Sequence, residues 1–404
     1  MKLQISAHLF IKHTIGKNHP MKHPFSSHCS RIIATLFLLA LGSPLFAVPL
    51  VPVEDFFKDP DYGGMALSPD GSKLAVVART KERLSLAIID TKTKQSKLLV
   101  TPKDFDVAGI FWVGSNRILF RGITAGDKFL SKTFNGALYA VDADGKNFKT
   151  LCESNQQQLA RSGGYSIYQA NVMGRYGDST DDILISYNGR AQRDPDVYRI
   201  NVHTGSKRMV VMNPDFITGY LADHTGAVRV GVGVKDKDIY IIYRDSDKDE
   251  WREVRRWQFG NDEGEMKSIT PLAFDKDNRL LYVAVLHGDA QTRAIALYDP
   301  KTDTIVKELF ANDTYDIGNV LLDGQTHELN GYYYNGERGA EMIWTTKKYA
   351  DWMAMMDEEL PGMKNLPASS SDDDTWILIN SSSDRDPGTY YMFNSKEMTP
   401  RLSD

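Results

Sequence analysis

Serine, histidine, cysteine and carboxylate side chains are the groups through which this chain could do covalent or acid–base chemistry. An acyl-transferring serine is held above a sheet by a Gly-x-Ser-x-Gly elbow, and the chain after residue 47 has no such motif. The histidines beyond that point are His203, His224, His287 and His327. Each lacks a serine and an orienting acid nearby in sequence, so all four are expected to be turn or surface residues. Cys29 and Cys152 are the only cysteines. Nothing around Leu151-Cys152-Glu153 lowers a thiol pKa and Glu153 would raise it, so Cys152 is expected to be structural.

Metal and cofactor chemistry has as little to work with. Arg244-Asp245-Ser246-Asp247-Lys248-Asp249 places acids at the first, third and fifth positions of a calcium loop, but Glu250 stands where the sharp turn needs glycine and Arg256 where the bidentate glutamate should be. It is expected to be a solvated turn. Asp372-Asp373-Asp374 has only like-charged sequence neighbours and reads as an exposed turn rather than a metal site. A phosphate loop, a dinucleotide fingerprint, a Cys/His cluster and an aromatic-basic stripe are all missing, so no cofactor is expected.

What the sequence does specify is a repeat. Leu67-Ser68-Pro69-Asp70-Gly71 forms a tight turn, with proline presetting φ and glycine taking the positive φ, and Leu74 to Ala78 follows as a buried strand. Equivalent turns recur near Asn116, Asp182, Asp223, Asp277, Asp323 and Asp373, at steps of 41 to 66 residues. Seven units of that period, with several strands each, predict an all-β, seven-bladed β-propeller over residues 48–404. One helical insertion is expected between the sixth and seventh blades. There Tyr349, Trp352, Met353, Met356 and Leu360 form an apolar helix face that Pro361-Gly362 ends. The insertion reads as a helix packed over a blade edge; the alternative is that Asp357-Glu358-Glu359 lines a substrate route.

Composition bounds the partners. Of 48 basic side chains, Lys2, Lys12, Lys17, Lys22 and Arg31 lie in residues 1–47, which hold no acid; removing those five leaves 43 against 53 acids, a net of −10. So acidic a surface argues against nucleic acid and anionic membranes. Residues 1–47 read as a signal peptide, with Lys22 and Arg31 before the apolar run Ile32 to Leu41 and a cleavage site at Leu45-Phe46-Ala47. Met21 would make a more conventional start, and an uncleaved anchor is the alternative. The expected location is periplasmic or secreted, with no membrane contact after cleavage.

Two end segments resemble a family. Val51-Pro52-Val53-Glu54-Asp55-Phe56-Phe57-Lys58-Asp59-Pro60, leading into Leu67-Ser68-Pro69-Asp70-Gly71, resembles the opening of secreted bacterial peptidases of the prolyl oligopeptidase family, in the dipeptidyl aminopeptidase and acylaminoacyl peptidase branch. Ser381 to Tyr391 resembles the last blade of that branch, and the helix ending Leu360-Pro361-Gly362 the segment before it. The resemblance implies a propeller that gates an α/β-hydrolase domain carrying Ser, Asp and His. This sequence stops at Asp404, near where that domain would begin. No triad residue carries over, and the chain alone is expected to be inactive, truncated or split from a hydrolase domain on a separate chain. The alternative is a binding or scaffold module for a peptide or partner protein. If short peptides are contacted, Glu337, Arg338 and Arg385 are the candidates, a carboxylate holding an amino terminus and a guanidinium a carbonyl or carboxylate. Plain hairpin-loop charge is the other reading of all three.

Overall fold

The computed structural model describes residues 62–81, 83–124, 132–163, 167–191, 193–214, 216–260, 266, 268–286, 292–337, 339–386, 388–397 and 399–401. The leader assigned to residues 1–47 lies outside them. The described strands form seven antiparallel sheets in chain order, and each sheet is a meander. β1(Tyr62–Leu67) to β4(Ser96–Val100) make the first blade and β5(Asp106–Val113) to β8(Lys149–Cys152) the second. β9(Ala170–Arg175) to β12(Lys207–Val211) make the third, β13(Ile217–Ala222) to β16(Arg252–Gln258) the fourth, and β17(Ile269–Phe274) to β20(Thr304–Phe310) the fifth. The sixth has three strands, β21(Ile317–Leu322), β22(Leu329–Gly336) and β23(Gly339–Trp344). The seventh runs from β24(Lys364–Ser370) through β25(Trp376–Ser382) and β26(Thr389–Asn394) to β27(Thr399–Arg401).

Sheets buried on both faces need neighbours, and the apolar clusters show which they have. Val77 and Leu86 pack with Ile118 and Phe120, Leu119 and Leu138 with Ile183 and Ile200, and Leu184 and Val197 with Val228. Ile241 and Tyr243 pack with Leu281 and Tyr298, and Tyr282 and Ile295 with Ile317 and Tyr332. Leu67, Leu74 and Val76 of the first blade meet Leu378 and Met392 of the seventh. The chain is a closed seven-bladed β-propeller. Each phase-marking turn lies at or beside the hairpin between a blade's first two strands. Gly71 shows why one of them needs glycine: its φ is +68° and an added Cβ would sit 2.7 Å from Trp376 Cδ1.

Among the described residues two helices of a turn or more interrupt the sheets, one expected and one not. α1(Asn155–Ser162) joins the second and third blades behind a capping box, in which Ser154 Oγ accepts from the Gln157 amide and Gln157 Oε1 from the Ser154 amide. α2(Lys347–Glu359) stands between the sixth and seventh blades, where the other blades have a fourth strand. Tyr349, Trp352, Met353 and Met356 are buried, packed on Ile377, Ile379 and Phe393 of the seventh blade, with Trp344 of the sixth against the same cluster. The predicted apolar face is the buried one, and the helix joins two blades that share no apolar cluster without it among the described residues.

Candidate functional site

The substitution of α2 for a strand leaves a gap. Between the sixth and seventh blades lies a cleft of about 960 Å3, bounded by β23, α2, the start of β24 and the loop after β25. Glu337 and Glu341 contribute from the β22–β23 hairpin, Asp357 from the last turn of α2, and Asp384 from the β25–β26 loop. Lys364 is the cation among the described residues of the lining, beside the apolar Met342, Trp344, Met353 and Leu366. Met342 and Leu366 also line a second cavity of about 480 Å3, which reaches Gly318, Val320 and Leu321 on the sixth blade's innermost strand. The two cavities share Met342 and Leu366 as walls.

The acids differ in how firmly they are held. Glu341 Oε2 accepts from the Tyr334 hydroxyl at 2.5 Å, and that hydrogen bond, with burial behind it, raises the phenol's pKa. Asp357 Oδ1 accepts from Asn365 Nδ2 at 2.8 Å. Glu337 is exposed beside Tyr315, whose phenol is pushed up first by desolvation and then by that carboxylate. The mouth of the cleft is thus a concentration of negative charge with one fixed acid on the strand and one on the helix. Such a lining suits an ammonium or guanidinium group entering from solvent.

Of the residues singled out in the sequence, Glu337 is in this lining. Arg385 follows Asp384 on the rim; its side chain is 91% exposed and 4.0 Å from the Asp384 carboxylate, so it faces solvent. Arg338 lies outside the described residues. Of the Asp357-Glu358-Glu359 run, Asp357 is in the lining and Glu358 and Glu359 are not, while the apolar face of the same helix packs on the seventh blade as the blade-edge reading expected. Glu341 and Asp384 carry no motif; only the meeting of two blades brings them together.

The remaining groups fall elsewhere. Cys152 is buried; burial pushes its thiol up, and Lys207, 3.9 Å away, offsets this only in part. His203 stands 3.3 Å from Asp181. His287 lies outside the described residues. His224 and His327 lie in the turns between the first two strands of their blades, as expected, but they meet there. Their rings, from the fourth and sixth blades, stack at 3.7 Å with 2° between planes, and His224 Nε2 lies 3.0 Å from the Asp275 carbonyl oxygen. Asp372-Asp373-Asp374 forms the turn it was read as, with Asp373 exposed and the other two half-buried. Its spatial neighbours are cationic, since Asp372 lies 3.6 Å from Arg175, Asp373 3.4 Å from Lys396 and Asp374 2.7 Å from Lys348. The Arg244 turn is closed by its own groups, with Ser246 Oγ donating to Asp249 at 2.7 Å.

No family model matches the chain. It is 23% identical over 363 residues to dipeptidyl peptidase family member 6 of Caenorhabditis elegans, covering 86% of this chain and 46% of the relative. With dipeptidyl aminopeptidase BIII of Pseudoxanthomonas mexicana it is 21% identical over 349 residues, covering 85% and 47%. The chain spans about half the length of these curated relatives. Among solved structures, one from a study of two prolyl endopeptidases superposes with a TM-score of 0.51 at 12% identity, over 85% of this chain and 49% of that one, which supports the fold. Fold and cleft define a seven-bladed β-propeller with an acid-lined opening between its sixth and seventh blades. In sequence this propeller is similar to dipeptidyl peptidases, the two curated relatives it matches.

Proposed function

We propose that this propeller is the substrate-gating and selecting portion of a prolyl-oligopeptidase-type serine peptidase, acting with an α/β-hydrolase domain that supplies serine, histidine and acid. The carboxylate-lined cleft, in a propeller related to dipeptidyl peptidases, carries the reading. A peptide's α-ammonium group is attracted to the mouth, where the exposed Glu337 and Asp357 meet it and the half-buried Glu341 stands behind them on β23. The apolar lining of Met342, Trp344 and Leu366 then favours apolar side chains of the same peptide. Selection arises because a carboxyl terminus or an acidic side chain is repelled from this opening. The apolar run before Ala47 supports a periplasmic or secreted location for such a gate.

Two measurements test it together. The chain by itself hydrolyses chromogenic dipeptide and acyl-amino-acid substrates no faster than background and is not labelled by a fluorophosphonate probe. It nevertheless binds a short peptide with a free amino terminus, and acetylating that terminus or replacing Glu337→Gln weakens binding about three- to tenfold, the worth of one exposed charge-assisted contact. Stoichiometric labelling of a serine would show a catalytic centre within the chain and overturn the assignment. Equal affinity for free and acetylated peptides would remove the role given to the carboxylates.

A further inference from the structure

The cleft holds a second feature besides its charge: an unpaired strand edge. Six of the seven described blades have four strands, whereas the sixth ends at β23. The Thr345 amide donates to the Asn330 carbonyl at 2.9 Å, and the register continues from Gly331 opposite Trp344 to Gly336 opposite Gly339. Alternation along an antiparallel pair then turns the amides and carbonyls of Ala340, Met342 and Trp344 away from β22. No strand pairs with that edge among the described residues. Successive strand residues point to opposite faces of a sheet. A cleft bounded by both Glu341 and Met342 therefore reaches round the edge itself.

A buried polar group in the same cleft points to a ligand. Asn365 is 7% exposed, and its Oδ1 has no hydrogen-bond partner, although Nδ2 is committed to Asp357 at 2.8 Å. That donation fixes which end of the amide is the oxygen. A buried acceptor left unpaired costs about 1–3 kcal/mol, so an occupant that supplies an N–H recovers the loss.

We propose that β23 is a docking edge that takes an extended, cationic peptide as an added fourth strand of the sixth blade. The peptide's alternate amides and carbonyls pair with Ala340 and Met342. Its ammonium or guanidinium groups face Glu337, Glu341, Asp357 and Asp384, and a further N–H meets Asn365 Oδ1. Main-chain pairing gives affinity without reading sequence, and the carboxylates and Met342 choose among side chains, as in other cases of strand addition. The inference deepens the proposed reading of this cleft and rests on it for the choice of a peptide as occupant. It adds a contact that does not depend on the amino terminus.

The test uses a fluorescent hexapeptide of alternating lysine and valine, followed by anisotropy with the full chain. Two further versions carry N-methyl groups on one or the other alternate set of amides. Strand addition predicts that one set weakens binding about tenfold or more while the other changes it little, because only one set faces β23. Exchanging lysine for glutamate abolishes binding. Met342→Pro, which removes an outward N–H and no bond to β22, weakens binding like the sensitive methylation. Because the methyl groups are on the ligand, a folding defect in the variant cannot imitate the result. If neither set matters, or no hexapeptide binds, the docking edge is refuted. A dimer of the chain that Met342→Pro dissolves would assign the edge to a second copy and equally refute it. Loss on acetylation with indifference to both methylations leaves the amine-holding role standing and removes strand addition; the opposite pattern does the reverse.

Discussion

At the scale of single residues, the two stacked histidines convert ring geometry into pH dependence. His327 titrates below the ordinary 6.5, first because it is partly buried and then because His224 lies against it, with Arg175 adding to the effect and Asp178 and Asp323 opposing it. A lowered histidine pKa means that the unfolded chain takes up the proton more readily than the folded one. Stability is therefore complete above 6.5 and falls as pH drops through and below that value. Asp323, in the same turn, behaves oppositely in kind and lower in pH. Burial would raise its carboxyl, but the Thr326 and Gln325 amides and Lys348 outweigh it and hold the pKa at about 2. Its contribution is present above 3.8 and is lost as pH falls through about 2. Thermal melts should thus decline in two separate ranges. His327→Phe, which keeps a ring in the stack, should flatten the decline between pH 7 and 5 and leave the lower one in place. An unchanged profile would mean that the pair contributes nothing to stability.

At the scale of elements, α2 is the piece on which the cleft depends. Trp352 is 8% exposed and sits edge-on to Tyr349 and Phe393, at 5.0 and 6.0 Å between ring centroids. Truncating a buried tryptophan costs about 3–5 kcal/mol. Trp352→Ala should lower the urea stability by that amount and, by loosening the helix on the seventh blade, weaken peptide binding as well. Full affinity in this variant would show that the helix does not shape the site. The same scale explains which elements were legible. The face Tyr349, Trp352, Met353 and Met356 follows the helical period, and these are the residues that are buried. The innermost strands were less visible: β1 reads Tyr-Gly-Gly-Met-Ala-Leu, β21 begins Ile-Gly-Asn, and β24 contains Pro367. Strands next to the central axis are mostly half-buried, with glycine and polar residues that dilute β propensity. α1 was missed because its one apolar residue within the helix besides alanine, Leu159, is exposed; only the Ser154 and Gln157 pair announces it.

At the scale of the molecule, the ring closes through apolar packing and two hydrogen bonds between the first and seventh blades. The first blade is built from the start of the described chain and the seventh from its end, and among the described strands none is exchanged between them. The seam is held by Leu67, Leu74, Val76, Leu378 and Met392, by the Leu67 amide donating to Ser369 Oγ at 3.1 Å, and by the Asp372 amide donating to the Pro69 carbonyl at 2.7 Å. Leu378→Ala should cost about 2–5 kcal/mol. Amide exchange should show β1 and β24 losing protection before the other blades, since local opening starts where the fewest bonds must break. Uniform loss would mean that the ring opens as one cooperative unit.

The repeat of turns and apolar strands was enough to determine seven blades and a helix between the last two, because turn chemistry and burial period are local properties. The likeness at the chain ends named the family of the relatives for the same reason, through contiguous residues. Only the tertiary structure decided that Glu337 joins Glu341, Asp357 and Asp384 around one cleft, that His224 lies on His327, and that no other described strand pairs with the outer edge of β23. Those contacts join residues from separate turns, strands and blades, and no local pattern encodes a meeting that ring closure alone brings about.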